Sequence, residues 1–462
     1  MAASSSSSHN THTRMRTRAS LGSASVNLSM AVLGVGQLTL PYAASLTGLA
    51  ECLLLLLVLT AAALVSLDSI REGAIRPSRR RAETRAASSD GDGEAALATP
   101  LLVDDDSIGQ MGELAASVEC KSTYAAILEE HMPSHYYKKL SDVALLLYAW
   151  GGSVSFLVVV KQQVHYITQS IKLSMHLPSF APMLLLTAAV TLPLSMLRSV
   201  KALRYSSVFG SLAALFITAV VVVHNPTLKM CALAAGSEPP AQWEINPTPI
   251  VAALPLLAFA LNTSWSYVPV FFSMSDDAQK GTRREAVRLR RSGTWLAMIV
   301  HSFVYVNYSV ITVYGIVSFC GDVKQNVLDG YSIHSGKHDD WRGHMVLFAR
   351  CALAVQLIFA LPLRFHVARD VLVDAYNDDR MKVRLVTFAL VASAAAAAAP
   401  PVPLRTAIGL TSAVCASVVI YIIPARLSFA LYDSALARVT ACAMAVFGVL
   451  VMVGGSYGSV MG

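Results

Sequence analysis

Residues 25–43 read SVNLSMAVLGVGQLTLPYA. The stretch carries no charge. With its flanks, at 22–45, it is long enough to cross a hydrocarbon layer, for which about 20 apolar residues suffice. Gly34 and Gly36 fall at its middle and Pro41 follows. Glycine frees the backbone, and irregular backbone at that depth survives only where it lines a cavity. The same small residues would equally suit a packing face between helices, so this span alone does not decide.

A second interruption of the same kind lies far along the chain. Residues 255–269 read PLLAFALNTSWSYVP, with Asn262, Thr263, Ser264 and Ser266 between Pro255 and Pro269. Four polar side chains near a bilayer centre need partners that lipid cannot supply. Counted in spans, the two interruptions sit in the first and the sixth, the opening members of two five-helix halves. Paired broken segments at corresponding positions are the sequence mark of a transporter's central site. A helix N-terminus exposed after a break holds a carboxylate, while bare carbonyls hold an ammonium or a cation. A zwitterionic amino acid meets both demands.

The rest of the chain agrees with a membrane protein. Hydrophobic residues make up 55% of 462, charged residues 14%, and the mean hydropathy is +0.54; a soluble surface needs more charge than this. Apolar blocks at 22–45, 47–69, 140–165, 180–197, 204–224, 248–274, 293–318, 343–365, 383–400, 404–425 and 436–460 predict eleven transmembrane helices in an all-α protein. With the first loop side taken as cytosolic, 28 of the 36 Lys and Arg residues fall in loops on that side and six on the other, with Lys161 and Arg350 inside spans. This is the asymmetry that fixes orientation. It puts the N-terminus in the cytosol; the membrane, which loop charge does not identify, is expected to be the plasma membrane or a vacuolar or lysosomal one. The formal charge of +7 therefore belongs to loops and is no sign of nucleic-acid binding. No apolar leader precedes the first span, which is expected to serve as its own insertion signal.

Residues 1–20 read as a disordered cytosolic tail and 76–110, with RRR at 79–81 and DDD at 104–106, as a disordered cytosolic insertion. Residues 21–75 hold the first two spans, and 111–460 an amphipathic helix at 111–131, lying on the inner face, and the remaining nine spans. Seven cysteines show no CxxC and no metal-ligand spacing, so no metal or cofactor is expected. Cys231 and Cys320 fall in two outer loops, where they would either bridge or stay free.

Residues 27–42, NLSMAVLGVGQLTLPY, resemble the first span of the amino acid/auxin permease family, which includes the sodium-coupled neutral and the proton-coupled and vacuolar amino acid transporters. LPLSMLRSVKALRYSSVFG at 192–210, RCALAVQLIFALPLR at 350–364 and SVVIYIIPARL at 417–427 extend the resemblance from about 22 to 459. It implies a LeuT-like fold, a five-plus-five inverted repeat plus one extra helix, with substrate between the first, third, sixth and eighth spans. It also implies a substrate site at Gly34, Val35, Gly36 and Gln37 in the first break and at Phe259, Asn262, Thr263 and Ser264 in the sixth. Sodium-coupled relatives place oxygen ligands where this chain has Met30 and the aliphatic stretch 353–357. A thioether and aliphatic carbons are poor ligands for a hard cation, although Ser29 and Gln356 retain oxygens. Proton coupling, or no coupling ion, is the expectation, with a sodium-coupled symporter as the alternative.

Among the other polar residues, Asn27 suits a bridge beside the break. Lys161 and Arg350 suit gating or structural roles near the outer interface, Arg350 paired with Asp339 or Asp340. His165 and His301 fit hydrogen-bonded packing better than titration. Tyr148, Trp150 and Gly151 either line the site or pack. No carboxylate sits at the centre of the first, third, sixth or eighth span, which tilts the cargo toward neutral amino acids. The reading is therefore secondary active transport of amino acids by alternating access, with no enzymatic cluster. An amino acid sensor signalling to a cytosolic regulatory partner is the alternative.

Overall fold

The computed structural model describes residues 19–76, 124–132, 135–170, 178, 180–197, 204–225, 247–275, 283–319, 322–331, 341–373 and 380–461. The tail at 1–18, the insertion beyond Arg76 and both Cys231 and Cys320 lie outside them. Every described element is helical. The helix ends that carry Arg71, Arg76 and Arg290 meet at one mouth of the bundle, here termed the basic mouth, and the opposite one is the far mouth.

The first span is two helices, α1 (Leu21–Val32) and α2 (Val35–Thr47), bent by 55°. Gly48 turns the chain at a φ of 95°, left-handed backbone that glycine favours, into α3 (Leu49–Ile75). A short helix α4 (Tyr124–His131) precedes the long α5 (His135–Ser170). Then come α6 (Ala181–Ser195) and α7 (Arg204–His224). The sixth span is again a pair, α8 (Pro247–Ala260) and α9 (Ser264–Phe272). The chain closes with α10 (Arg283–Phe319), α11 (Trp341–Leu372), α12 (Arg380–Ala398), α13 (Leu404–Leu431) and α14 (Ala435–Met461). Among the described residues eight helices are long and apolar enough to span, the bent first pair makes a ninth, and α6 and Val208–His224 are shorter apolar helices. Together these are compatible with the eleven crossings expected from sequence.

The first five spans and the next five each begin with a broken helix. Five is odd, so the second set starts from the opposite mouth and is upside-down relative to the first. Prolines are accommodated by local widening. The π-turn Thr187–Thr191 precedes Pro193 and the π-turn Val418–Ile422 precedes Pro424, giving room where a proline ring would meet the carbonyl four residues back. Glycines seat other prolines: a Cβ on Gly315 would lie 2.6 Å from Pro41 Cγ, and one on Gly455 2.6 Å from Pro255 Cγ. Large exposed apolar residues such as Leu54, Leu57, Leu212, Met298, Phe388 and Leu450 face outward, a surface suited to lipid rather than water.

Of the helix expected at 111–131, the described part is α4, and one side of it packs into the basic mouth: Ile127 and Leu128 are fully buried, the Tyr124 hydroxyl donates to Val419 O at 3.1 Å, and His131 Nε2 meets Gly73 O at 2.9 Å. Arg364 belongs not to a loop but to the buried face of α11. Asp339 and Asp340, the acids expected beside Arg350, lie outside the described residues. Among the described residues Arg350 bonds Asp329 Oδ1 and Gln163 Oε1, each at 3.0 Å.

At the basic mouth a single buried carboxylate gathers three cations. Glu72 on α3 receives Arg290 Nε at 2.6 Å, Arg71 Nη2 at 3.0 Å and Arg76 Nε at 2.9 Å. Removing one member of a buried ion network strands the others, which costs about 3–5 kcal/mol in dry interiors. Arg76 and Arg290 reach water here, so screening lowers the figure. Glu72→Gln is expected to destabilise the detergent-solubilised protein by roughly 2 kcal/mol, read as a lower midpoint in thermal unfolding.

Candidate functional site

The two breaks face each other. At the first, Leu33 is extended (φ −69°, ψ 106°) and Gly34 follows with φ −164° and ψ −141°. At the second, Leu261, Asn262 and Thr263 are non-helical between α8 and α9. Each break presents the C-terminal carbonyls of one helix and the N-terminal amides of the next, groups that a helix cannot satisfy internally. The contact between them is backbone to backbone: a Cβ on Gly36 would lie 2.6 Å from Ala260 Cα. A Cβ on Gly34 would meet only Phe156 Cζ at 3.6 Å, an ordinary contact. The two adjacent glycines therefore do different work, Gly36 permitting the approach and Gly34 leaving open space.

Side chains from α10 and α11 stitch the bare carbonyls. The Tyr308 hydroxyl, fully buried, lies 2.9 Å from Val32 O and 3.0 Å from Ala260 O. Gln356 Nε2 donates to Leu33 O at 3.0 Å. These bonds fix the two α-helix ends side by side.

The cavity between the breaks is lined by Met30, Gly34, Val35, Gly36, Phe259, Asn262 and Gln356, with Tyr148, Phe156, Trp265 and Arg364 closing it. Of the residues expected from the resemblance, Gly34, Val35, Gly36, Phe259 and Asn262 meet here. Gln37 does not: it is fully buried and faces Asn307 Nδ2 at 3.5 Å. Thr263 turns to His301 Nε2 at 3.2 Å, and Ser264 opens α9. His301 also uses Nδ1, 3.0 Å from Ala297 O, so it is a hydrogen-bonded packing residue. Tyr148 lines the cavity, whereas Trp150 donates to Ser393 Oγ at 3.0 Å and Gly151 packs on Thr411. Asn27 and Ser29 fall before the lining stretch of α1.

Lys161 and Arg350 also lie outside the cavity, and each has a structural occupation. Lys161 Nζ donates to Ala398 O, Ala399 O and Pro400 O at 2.7, 3.1 and 2.7 Å, capping the end of α12. Arg350 is fully buried and joins Gln163 on α5 to the Val327–Gly330 turn through Asp329 and Leu328 O. Burial lifts the Asp329 carboxyl above its ordinary range, against the opposing pull of the Arg350 guanidinium.

Arg364 is the residue that the sequence reading missed. It projects from α11, 6% exposed, into a cage of rings: Phe156 at 4.2 Å, Trp265 at 5.6 Å, Tyr148 at 5.7 Å and Phe259 at 5.9 Å from the guanidinium carbon. Room for Nη1 comes from Gly152, whose Cβ would lie 2.2 Å away. Desolvated cation–π contacts are worth about 2 kcal/mol, while burying an ion costs several kcal/mol even after relaxation. The rings therefore offset only part of the cost. The Tyr148 hydroxyl stands near both Arg364 and Asn262. Even so, Arg364 Nη1, both polar atoms of the Asn262 amide, Trp265 Nε1 and Gln356 Oε1 have no hydrogen-bond partner among the described residues. Buried polar groups left unpaired are costly, and five such atoms around one cavity describe a binding surface. The neutral-cargo expectation rests on the absence of a carboxylate from the span centres; it takes no account of a cation there, which Arg364 supplies.

The comparisons with known proteins fall in line with this geometry. A family model described as "Transmembrane amino acid transporter protein" matches residues 107–461. Solute carrier family 38 member 8 of Homo sapiens is 26% identical over 276 residues, covering 57% of each chain. Sodium-coupled neutral amino acid transporter 7 of Danio rerio is 24% identical over 245 residues, 50% of this chain and 47% of that one. The chain thus aligns with about half the length of these curated relatives. Among solved structures, MhsT in complex with L-phenylalanine superposes over 96% of this chain and 99% of its own with a TM-score of 0.56 at 10% identity, which shows a shared LeuT-like fold.

The site yields a prediction on its two glycines. Gly36→Ala is expected to force α2 from α8, costing about 1–3 kcal/mol of stability and at least a tenfold fall in uptake. Gly34→Ala should be tolerated, and Gly34→Leu should block uptake by filling the space before Phe156 while the protein still reaches the membrane. Radiolabelled uptake beside surface quantification reads all three.

Proposed function

Because this chain belongs to the transmembrane amino acid transporter protein family, we propose that it is a secondary transporter that carries amino acids through the cleft between its two broken helices by alternating access. One observation carries the reading: donors and acceptors without partners converge on a cavity between two helix interruptions. The first amides of α2 and the amides of Asn262 and Trp265 suit a carboxylate, and the Asn262 and Gln356 carbonyl oxygens suit an ammonium. A zwitterion would satisfy both kinds at once.

Alternating access asks that each mouth close and open in turn. Polar locks stand at both: Glu72 with its arginines at the basic mouth, Arg350 with Asp329 at the far mouth. Ion pairs of this kind are bistable elements that can exchange partners as helices shift. In this reading the basic mouth is cytosolic, and the membrane is the plasma membrane or that of a vacuole or lysosome.

Sodium is the less favoured coupling ion. The Leu33 carbonyl, one of the few bare oxygens at the break, already accepts from Gln356, and the neighbouring Met30 offers sulfur to an ion that takes oxygen. The names of the relatives speak for sodium and for neutral cargo; the local chemistry speaks for a proton or no ion. Reconstitution in liposomes with sodium and proton gradients imposed separately tests this. Amino acid accumulation is expected without sodium, whether or not a proton gradient increases it. Accumulation that requires sodium and ignores pH would refute the coupling, and binding without any accumulation would replace the transporter with a sensor.

A further inference from the structure

We infer that Arg364 is a specificity residue that pairs with a second carboxylate on the cargo, so that the preferred substrate is an acidic amino acid of the aspartate or glutamate type. The inference rests on the transport reading above and sharpens its substrate class.

Arginine stays charged in proteins, and the other large buried arginines here show how this chain treats such a charge. Arg71 is paired with Asp68 and Glu72, Arg350 with Asp329 and Arg369 with Asp370. Arg405 is held by Gly458 O and the Tyr42 hydroxyl. Arg364 breaks the pattern. Among the described residues no carboxylate reaches it, its neighbours are four aromatic rings and one hydroxyl, and Nη1 is unbonded. A guanidinium fork is shaped to take a carboxylate through two parallel N–H bonds.

The position within the cavity assigns which carboxylate. Arg364 lies eight residues, about two helical turns, beyond Gln356 on α11. Gln356 touches the first break at Leu33, where the α-carboxylate and ammonium of any amino acid are accounted for by helix termini and amide groups. Arg364 is left over, at the end of the cavity walled by Phe156 and Trp265. A neutral side chain would leave its charge uncompensated once both mouths close, whereas a side-chain carboxylate would neutralise it. The rings around it supply an apolar wall that excludes water, which strengthens that pair.

The test uses the full chain reconstituted in liposomes, with labelled L-glutamate, L-aspartate, L-glutamine and L-alanine. The acidic pair is expected to be taken up at least tenfold faster than glutamine. Arg364→Gln is expected to shift the glutamate-to-glutamine ratio at least tenfold toward glutamine, with Arg364→Lys intermediate. Wild-type protein that moves glutamine as well as glutamate overturns the inference and leaves amino acid transport standing; so does an Arg364→Gln variant that slows both cargoes by the same factor. No uptake of any amino acid overturns the transport reading itself. Should the variants fail to fold, thermal shifts of the wild-type protein decide. Stabilisation by glutamate and by glutarate, with none by glutamine at equal concentration, supports the inference, and equal stabilisation by glutamine sinks it.

Discussion

The architecture depends on two main chains meeting where neither is helical. Gly36 lies against Ala260 closely enough that no side chain fits between them, and the Tyr308 hydroxyl stands within bonding distance of a carbonyl from each helix end. In lipid an unpaired carbonyl is costly because no water replaces the lost bond. Two interrupted helices are therefore tolerable only together, with a third helix supplying the missing donor. The cavity, its polar lining and the aromatic cage are all arranged around that junction.

Much of this was visible in the one-dimensional chain. Two glycines at mid-span and the Asn262–Ser264 run mark both interruptions because they recur at corresponding places in the two halves, which a packing face alone would not require. The span count was legible because apolar length and loop charge are local properties. What escaped was set by partners distant in sequence. Arg364, in LPLRFHVAR, looks like the basic end of a span, and only the packing of Phe156, Trp265 and Gly152 against it makes it a cavity residue. The resemblance implies Gln37 in the site, but a helix turns each successive residue by roughly 100°, which carries it round to Asn307.

The same logic explains Arg350. A charge inside a span demands a partner, and sequence proximity suggests the acids ten and eleven positions before it. The turn Val327–Gly330 instead folds back so that Asp329 and Leu328 O reach the guanidinium, and Tyr166 stacks at 4.2 Å. Burial of the pair is what lifts the Asp329 carboxyl. A loop, not a span, thereby becomes part of the helical packing at the far mouth.

The grip of Lys161 on the last carbonyls of α12 has a mechanical corollary. That helix ends in the run ASAAAAAAP, whose side chains are too small to key it into its neighbours by shape. A lone ammonium bonded to three consecutive carbonyls fastens its tip to α5, while Trp150 and Ser393 pin the middle. The smooth rod and its long neighbour are thus yoked at two points, so any tilt of one must drag the other.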